Sequence, residues 1–167
     1  MGGRLDIAIV GAGPAGLAAA LLLHRAGNRV TILERFAAAK PLGSGLILQP
    51  TGLTVLAALG LYDEILELGS RIDRLHGADA RTGRTVLDVR YDAVSGGRFG
   101  LAVHRAALFD VLHRAVAAEG IPIETRVEIE ALETGSRATP VGTDGRRLGA
   151  FDLVVDASGA RSRLRRF

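Results

Sequence analysis

The 167-residue chain has no cysteine, which excludes disulfides, thiol catalysis and cysteine-ligated metal. Its four histidines, His24, His76, His104 and His113, show no paired ligand spacing, so no metal centre is expected. No G-x-S-x-G elbow occurs, which argues against a serine hydrolase. Aromatic residues make up 4% of the chain against 48% hydrophobic residues in all, so the core must be packed from aliphatic side chains. The formal charge of +3 is carried almost wholly by scattered arginines. Their one cluster (Arg161, Arg163, Arg165, Arg166) lacks interleaved aromatics and any recognisable motif, and no nucleic-acid partner is expected. Long apolar runs are scarce as well. Ile7 to Leu23 is uncharged over 17 residues, but three glycines and a proline interrupt it. A buried strand followed by a buried helix explains its apolarity without lipid. Asp6 stands where a myristoylation site needs Ser or Thr. The expectation is a soluble, cytoplasmic protein with no membrane partner. The length suits one domain with its own core, and no repeat, low-complexity tract or linker divides it.

What is present is concentrated at the amino end, in LDIAIVGAGPAGLAAALLLHRAGNRVTILER. Leu5 and Ile7 to Val10 form a near-continuous apolar run, as in a strand buried on both faces of a parallel sheet. Gly11, Gly13 and Gly16 follow with G-x-G-x-x-G spacing: the first for the tight turn, the second for close approach of a pyrophosphate, the third for helix–strand packing. Pro14 suits the first helical position, where its missing N–H is not needed. The helix start presents unpaired N–H groups and partial positive charge to a diphosphate. Gly27 suits a helix stop. Val30, Ile32 and Leu33 form a second strand with Glu34 at its end. Glu34 lies eighteen residues after Gly16, against about 20 for the acid that accepts ribose hydroxyls. The whole unit predicts an adenine dinucleotide site. A carboxylate at Glu34 would repel a 2′-phosphate, so FAD or NAD is favoured over NADP.

Further on, RFAAAKPLGSGLILQPTG is punctuated by Gly and Pro and is expected to run over the surface as a connection. A helix starts at Pro50 or Thr51 and closes at Gly60, and Tyr62 to Leu68 suits a second short one. Arg71 to Ala80 and Arg84 to Tyr91 form a hairpin around Thr82-Gly83. Phe99 to Val103 is a short strand. Arg105 to Glu119 is a helix with Leu108, Leu112, Ala115 and Val116 on one face. Ile121 to Thr125 begins a strand. Val127 to Val141 forms an antiparallel meander, with Asp144-Gly145 as a turn. Phe151 to Val155 makes a buried strand leading into Asp156-Ala157-Ser158-Gly159. Arg105 opens a helix whose dipole opposes a cation there. A bound diphosphate would compensate it; a solvated arginine paying a few tenths of a kcal/mol fits equally well.

The chain resembles the amino-terminal part of the FAD-dependent aromatic hydroxylases, the single-component flavoprotein monooxygenases similar to para-hydroxybenzoate hydroxylase. The resemblance rests on the glycine unit ending Glu34-Arg35, on GSGLILQPTGLTVLAALGL with the later VHRAALFDVL, and on DLVVDASGARSRLR. It implies a Rossmann-like α/β FAD-binding fold with a parallel sheet, an antiparallel β-meander crossover and a partial substrate-side β-hairpin. Residues 1–167 would be one FAD-binding domain, with roughly 71–103 an inserted β segment. The fingerprint, with Pro14 and the Ala15 N–H at the helix start, would hold the FAD diphosphate, and Glu34 the adenosine ribose. The resemblance gives Arg105 a contact to FAD, which favours the functional reading of that residue. It places Val127 where a backbone group meets adenine and Lys40 near the diphosphate. Arg35, beside the ribose acid, either contacts the cofactor or is solvated.

The last motif departs from the family's Asp-Gly-x-x-Ser-x-x-Arg, which serves FAD and NAD(P)H. Here Ser158-Gly159 replaces Asp-Gly, keeping a hydroxyl but losing the charge. Related halogenases and prenyl reductases carry an Ala-Ser-Gly version. They stand as an alternative, as does a non-catalytic nucleotide-binding fragment. The family also continues into a substrate sheet and a later Gly-Asp motif, so the chain is expected to be a fragment that self-associates through an unfinished core face. The activity implied is an oxidoreductase's: NAD(P)H reduces FAD, and one oxygen atom of O2 enters a small, electron-rich aromatic substrate. No catalytic residue can be nominated.

Overall fold

The computed structural model describes residues 3–38, 44–91 and 97–166. The chain divides into two compact units, residues 1–41 with 109–167, and residues 42–108.

In the first unit the apolar run forms β1 (Asp6–Val10), and Pro14–Arg25 forms α1. Proline takes the first turn of α1, and Gly27, at φ +90°, lies just beyond its end. β2 (Arg29–Glu34) returns parallel to β1, with Ile9 opposite Ile32 and Val10 opposite Leu33. Two later segments complete the sheet, β8 (Ile123–Thr125) beside β2 and β11 (Leu153–Asp156) beside β1, both parallel. The order is β11-β1-β2-β8. The chain therefore leaves β1 towards one side and returns by β11 on the other, which makes the carboxyl ends of β1 and β11 a topological switch point. Ligands of open α/β sheets bind at such a switch point.

Alternation along β1 assigns the two faces of the sheet. Ala8 and Val10 pack with Leu33 against Val127, Ile129, Leu132, Leu148 and Phe151, the residues of the meander. Ile7 and Ile9 turn to the opposite face, and Leu17, Ala20 and Leu21 of α1 are fully buried. The meander consists of β9 (Ile129–Glu133) and β10 (Thr139–Gly142), paired antiparallel. Isolated bridges from Ala138 to Phe151 and from Val141 to Arg147 extend it. The expected turn lies at Asp144-Gly145, with Gly145 at φ +76°. At the lower end of the sheet Asp6 pairs with Arg29 and Arg137, and Arg137 also pairs with Asp152.

The second unit contains β3 (Gly45–Leu48), α2 (Pro50–Ala58), α3 (Tyr62–Glu67), β4 (Gly69–Ile72), β5 (Arg74–Ala78), β6 (Thr85–Arg90) and β7 (Gly100–His104). Two expectations need correction here. The stretch after Glu34 is not only a surface connection, because Leu46, Ile47 and Leu48 pair antiparallel with Val103, Ala102 and Leu101 of β7. The strand expected over Arg71 to Ala80 is two strands, parted at Asp73: β4 joins β7, whereas β5 pairs with β6. The hairpin itself is as read. Asp79 closes its turn, accepting from the Thr82 N–H at 2.7 Å while its own N–H donates to the Arg84 carbonyl at 2.8 Å. Every residue of β6 is exposed. The long helix α4 runs over Arg105–Ala118.

Candidate dinucleotide site

Each of the three glycines answers to a different neighbour. Gly11 sits at φ +106°, and a Cβ there would lie 2.7 Å from the Ala157 carbonyl oxygen. A Cβ on Gly16 would lie 2.0 Å from the Gly11 carbonyl oxygen. The turn and the helix–strand contact thus demand both glycines from within the protein. Gly13 is different. Its φ of −72° and ψ of 171° are open to any residue, and a Cβ there would meet nothing within 4 Å. Among the described residues, no backbone or side chain requires glycine at this position. What a side chain would obstruct is approach from outside, towards the first turn of α1.

That turn is ready for an acceptor. Gly13 has no side chain with which to cap α1, and no acid occupies the first turn. The amides of Ala15 and Gly16 belong to the group of N–H donors that a helix leaves without internal partners. An uncapped start is not diagnostic alone, since Gln49 also leaves α2 without a side-chain cap. The open space at Gly13 and the acid next to the turn distinguish α1.

Glu34 is the only buried charged residue among those described, at 6% exposure. Although it ends a strand, Glu34 is therefore not a solvated surface acid. One carboxylate oxygen accepts the Ala12 N–H at 2.6 Å and the other the Phe36 N–H at 3.0 Å. The acid therefore holds the glycine turn to the end of β2, assisted by the Gly11 N–H donating to Leu33 at 2.8 Å. Two oxygens offer about four lone-pair positions, so a ribose hydroxyl can still be accepted. The Val127 N–H donates to the Glu34 carbonyl at 2.9 Å, leaving the Val127 carbonyl as the main-chain group it can offer a base. A cleft of about 260 Å³ opens at this place, lined by Arg35, Arg126, Val127, Glu128, Thr143 and Arg146 among others. The Arg35 guanidinium lies 4.7 Å above the Phe36 ring. Arg126 adopts φ +61°, the one described non-glycine residue with positive φ.

At the other end of the switch point, the Ala157 N–H donates to the Val10 carbonyl at 2.9 Å, which ties the end of β11 to β1. Ser158 and Gly159 follow, with Gly159 at φ +91°. Two corrections fall here. β11 is the edge strand of the sheet and not a buried one, with Leu153 41% exposed. Nor does serine at 158 leave this turn without charge. Asp156 accepts the Ser158 hydroxyl at 2.5 Å and the Ser158 N–H at 3.1 Å through one oxygen, and the Ser162 hydroxyl through the other. Burial pushes the Asp156 carboxyl up, but the bonds from Ser158 and Ser162 outweigh it and hold it below the ordinary aspartate range. The sequence reading missed Asp156; an acid two positions before a serine was the available signal.

The structure thus brings Gly11, Gly13, Pro14, Ala15, Gly16, Glu34, Arg35, Val127, Ser158 and Gly159 to the carboxyl ends of one sheet. Arg105 stands in the second unit as the first residue of α4, its N–H donating to the Ser44 carbonyl at 3.2 Å. Lys40 lies outside the described residues. Among the described residues no group of His, Asp and Glu could hold a metal ion, and no helix is long and apolar enough to cross a membrane.

A parallel sheet with a glycine turn, an open helix start and a buried acid at the second strand end defines a Rossmann-type dinucleotide-binding protein. Residues 4–166 match the family described as FAD binding domain, and the chain belongs to it. It is 36% identical over 169 residues to 3-amino-4-hydroxybenzoate 2-monooxygenase of Streptomyces cremeus, covering 97% of this chain and 41% of that protein. It is 30% identical over 166 residues to an FAD-dependent urate hydroxylase of Mycolicibacterium vanbaalenii, covering 98% and 42%. Among solved structures, a tetrameric form of 2-methyl-3-hydroxypyridine-5-carboxylic acid oxygenase matches with a TM-score of 0.82 at 27% identity, covering 99% of this chain and 42% of that one. The chain spans about two fifths of the length of these relatives.

Proposed function

We propose that this chain is the FAD-binding portion of a flavin-dependent monooxygenase that hydroxylates a small aromatic substrate with O2 and NAD(P)H. The observation that carries the reading is Gly13: a glycine that no described residue requires, with no described atom within 4 Å of where its Cβ would stand, at an uncapped helix start beside a buried acid. In this reading Gly11, Gly13, Pro14, Ala15 and Gly16 receive the diphosphate, Glu34 the ribose, and Val127 with Arg35 the adenine end. Ser158 and Gly159 lie beyond the diphosphate, and Arg105 and Lys40 add positive charge. The bound flavin supplies the redox chemistry. These residues of the chain bind and orient it. Residues 1–167 form one domain with roughly 71–103 as a substrate-side insertion. Its place is the cytoplasm, where the nicotinamide donor is found. Among the described residues, nothing favours the halogenase or prenyl reductase alternative beyond the sequence Ala157-Ser158-Gly159 itself.

The test is an absorption spectrum of the purified chain after addition of FAD and desalting. Retained, near-stoichiometric flavin is expected; a flavin-free protein fraction, with no calorimetric heat on adding FAD, overturns the reading. Flavin-dependent NADH or NADPH oxidation stimulated by candidate phenols tests the activity of the longer protein. The reading includes self-association, for which Val86, Leu87, Val89 and Leu153 offer exposed apolar surface. A strictly monomeric sedimentation profile would count against that part.

A further inference from the structure

We propose that Asp156 is a positioning residue that turns the Ser158 hydroxyl into a hydrogen-bond acceptor for a sugar-alcohol hydroxyl of the bound flavin cofactor. The inference rests on the reading of this chain as an FAD-binding protein. An ionised carboxylate only accepts hydrogen bonds. The Ser158 hydroxyl and the Ser162 hydroxyl, both bonded to Asp156, must therefore spend their protons on it. The Ser162 oxygen in turn accepts the Leu164 N–H at 3.0 Å, which takes one of its two lone pairs. Ser158 is left presenting lone pairs polarised by the charge behind it. It is also the member of the cluster that borders the glycine turn, since a Cβ on Gly11 would come within 3.0 Å of the Ser158 Cα.

The character of that group selects its ligand. Phosphate oxygens accept, so an acceptor backed by a carboxylate is a poor partner for a diphosphate. A sugar hydroxyl donates, and fits. Strand order selects which sugar. Glu34 ends β2, the helix start follows β1, and Ser158 follows β11, in the sheet order β2-β1-β11. With ribose at Glu34 and diphosphate at α1, the part of the cofactor on the β11 side is the ribityl chain. The family's aspartate is thus replaced here by a serine acting with a carboxylate two residues upstream.

The test compares FAD with ADP, which has the ribose and diphosphate but no ribityl chain, by calorimetry on the intact chain. Asp156→Asn and Ser158→Ala should each weaken FAD about tenfold, the loss of one hydrogen bond to a charged system. Both should leave ADP unchanged. The double variant should be no weaker than either single one, since both remove one shared interaction. Exchanging the two residues, Asp156→Ser with Ser158→Asp, should restore FAD. If Ser158→Ala binds FAD as tightly as the unaltered chain, or if Asp156→Asn loses ADP equally, the proposal is overturned while FAD binding stands. Should Asp156→Asn fail to fold by circular dichroism, Ser158→Ala decides on the same two probes. An unaltered chain that binds neither FAD nor ADP overturns the underlying reading, and this one with it.

Discussion

Replacing Gly13 and Gly16 by alanine, one at a time, should separate folding from binding. At Gly16 the new methyl would stand 2.0 Å from the Gly11 carbonyl oxygen, a contact between backbone segments with no flexible side chain to yield. Moving α1 from β1 to relieve it would open the packing of Leu17 and Leu21, both fully buried. A loss of at least about 3 kcal/mol is expected, a large part of the roughly 5–15 kcal/mol that holds a domain together. At about 2–4 °C per kcal/mol for this size, the melting temperature should fall by some ~6–12 °C. At Gly13 the methyl meets no described residue within 4 Å and the backbone angles are ordinary. Alanine restricts the unfolded chain, worth about 0.4–1 kcal/mol, but is a poorer helix N-cap by a similar amount. The net should lie within about 1 kcal/mol of zero. Binding should behave in the opposite way. Holding the diphosphate off the Ala15 and Gly16 amides forfeits one or two charge-assisted bonds, about tenfold to a hundredfold in FAD affinity or more. Thermal denaturation without cofactor and FAD titration by calorimetry read the two quantities. A Gly13→Ala chain that melts early, or that binds FAD at full strength, would refute the argument that this glycine exists for a ligand.

Three further outcomes are expected. Glu34→Gln places an amide where the carboxylate accepts the Ala12 and Phe36 N–H groups; its NH2 can satisfy neither. Stability should drop by about 1–3 kcal/mol in urea denaturation, and FAD affinity should fall with it; an unchanged midpoint would mean that the acid does not hold the turn. Arg29 and Arg137, by hydrogen bonds and charge, lower the Asp6 carboxyl to about 2. A depressed folded value means that its stabilisation is complete above the unfolded value near 4 and is lost as pH falls through about 2. The Asp6 carboxyl resonance should therefore titrate near pH 2, and Asp6→Asn should flatten the acid limb of stability between pH 4 and 2. Arg126→Gly relieves a left-handed backbone worth about 1–2 kcal/mol against a glycine entropy cost of about 0.5–1 kcal/mol. Its denaturation midpoint should rise slightly, and a fall would show that the Arg126 side chain contributes packing.

How much of the site was readable follows from how far apart its parts lie. Strand, glycine turn, helix, strand and acid occupy one continuous stretch from Leu5 to Arg35, and several of the interactions that define them stay within it, although Gly11 is constrained from outside by Ala157. The Gly16 methyl clash is with Gly11, and the Glu34 carboxylate bonds to Ala12. Residue type and spacing were enough to specify such contacts. Where partners are remote, pattern alone misled. Leu46 to Leu48 read as a connection because their ladder partner, β7, begins at Gly100. Arg71 to Ala80 read as one strand because nothing local reveals that its two parts pair with different strands. The apolar run in β11 suggested burial, yet its position at the sheet edge leaves Leu153 exposed.

By itself the sequence determined the kind of ligand, because a diphosphate-binding turn is built from conformational freedom and from amides at one helix start, both local properties of the chain. The spacing assigns the three glycines their tasks, and only the tertiary structure supplied the atoms behind them: a Cβ on Gly11 or Gly16 would strike backbone, whereas one on Gly13 meets no described residue within 4 Å. The tertiary structure also showed where the negative charge of the last turn resides, although the acid and both serines lie close together in the sequence. A carboxylate acts on whatever hydroxyls the folded chain brings to it, and the fold brings Ser158 and Ser162 together on Asp156.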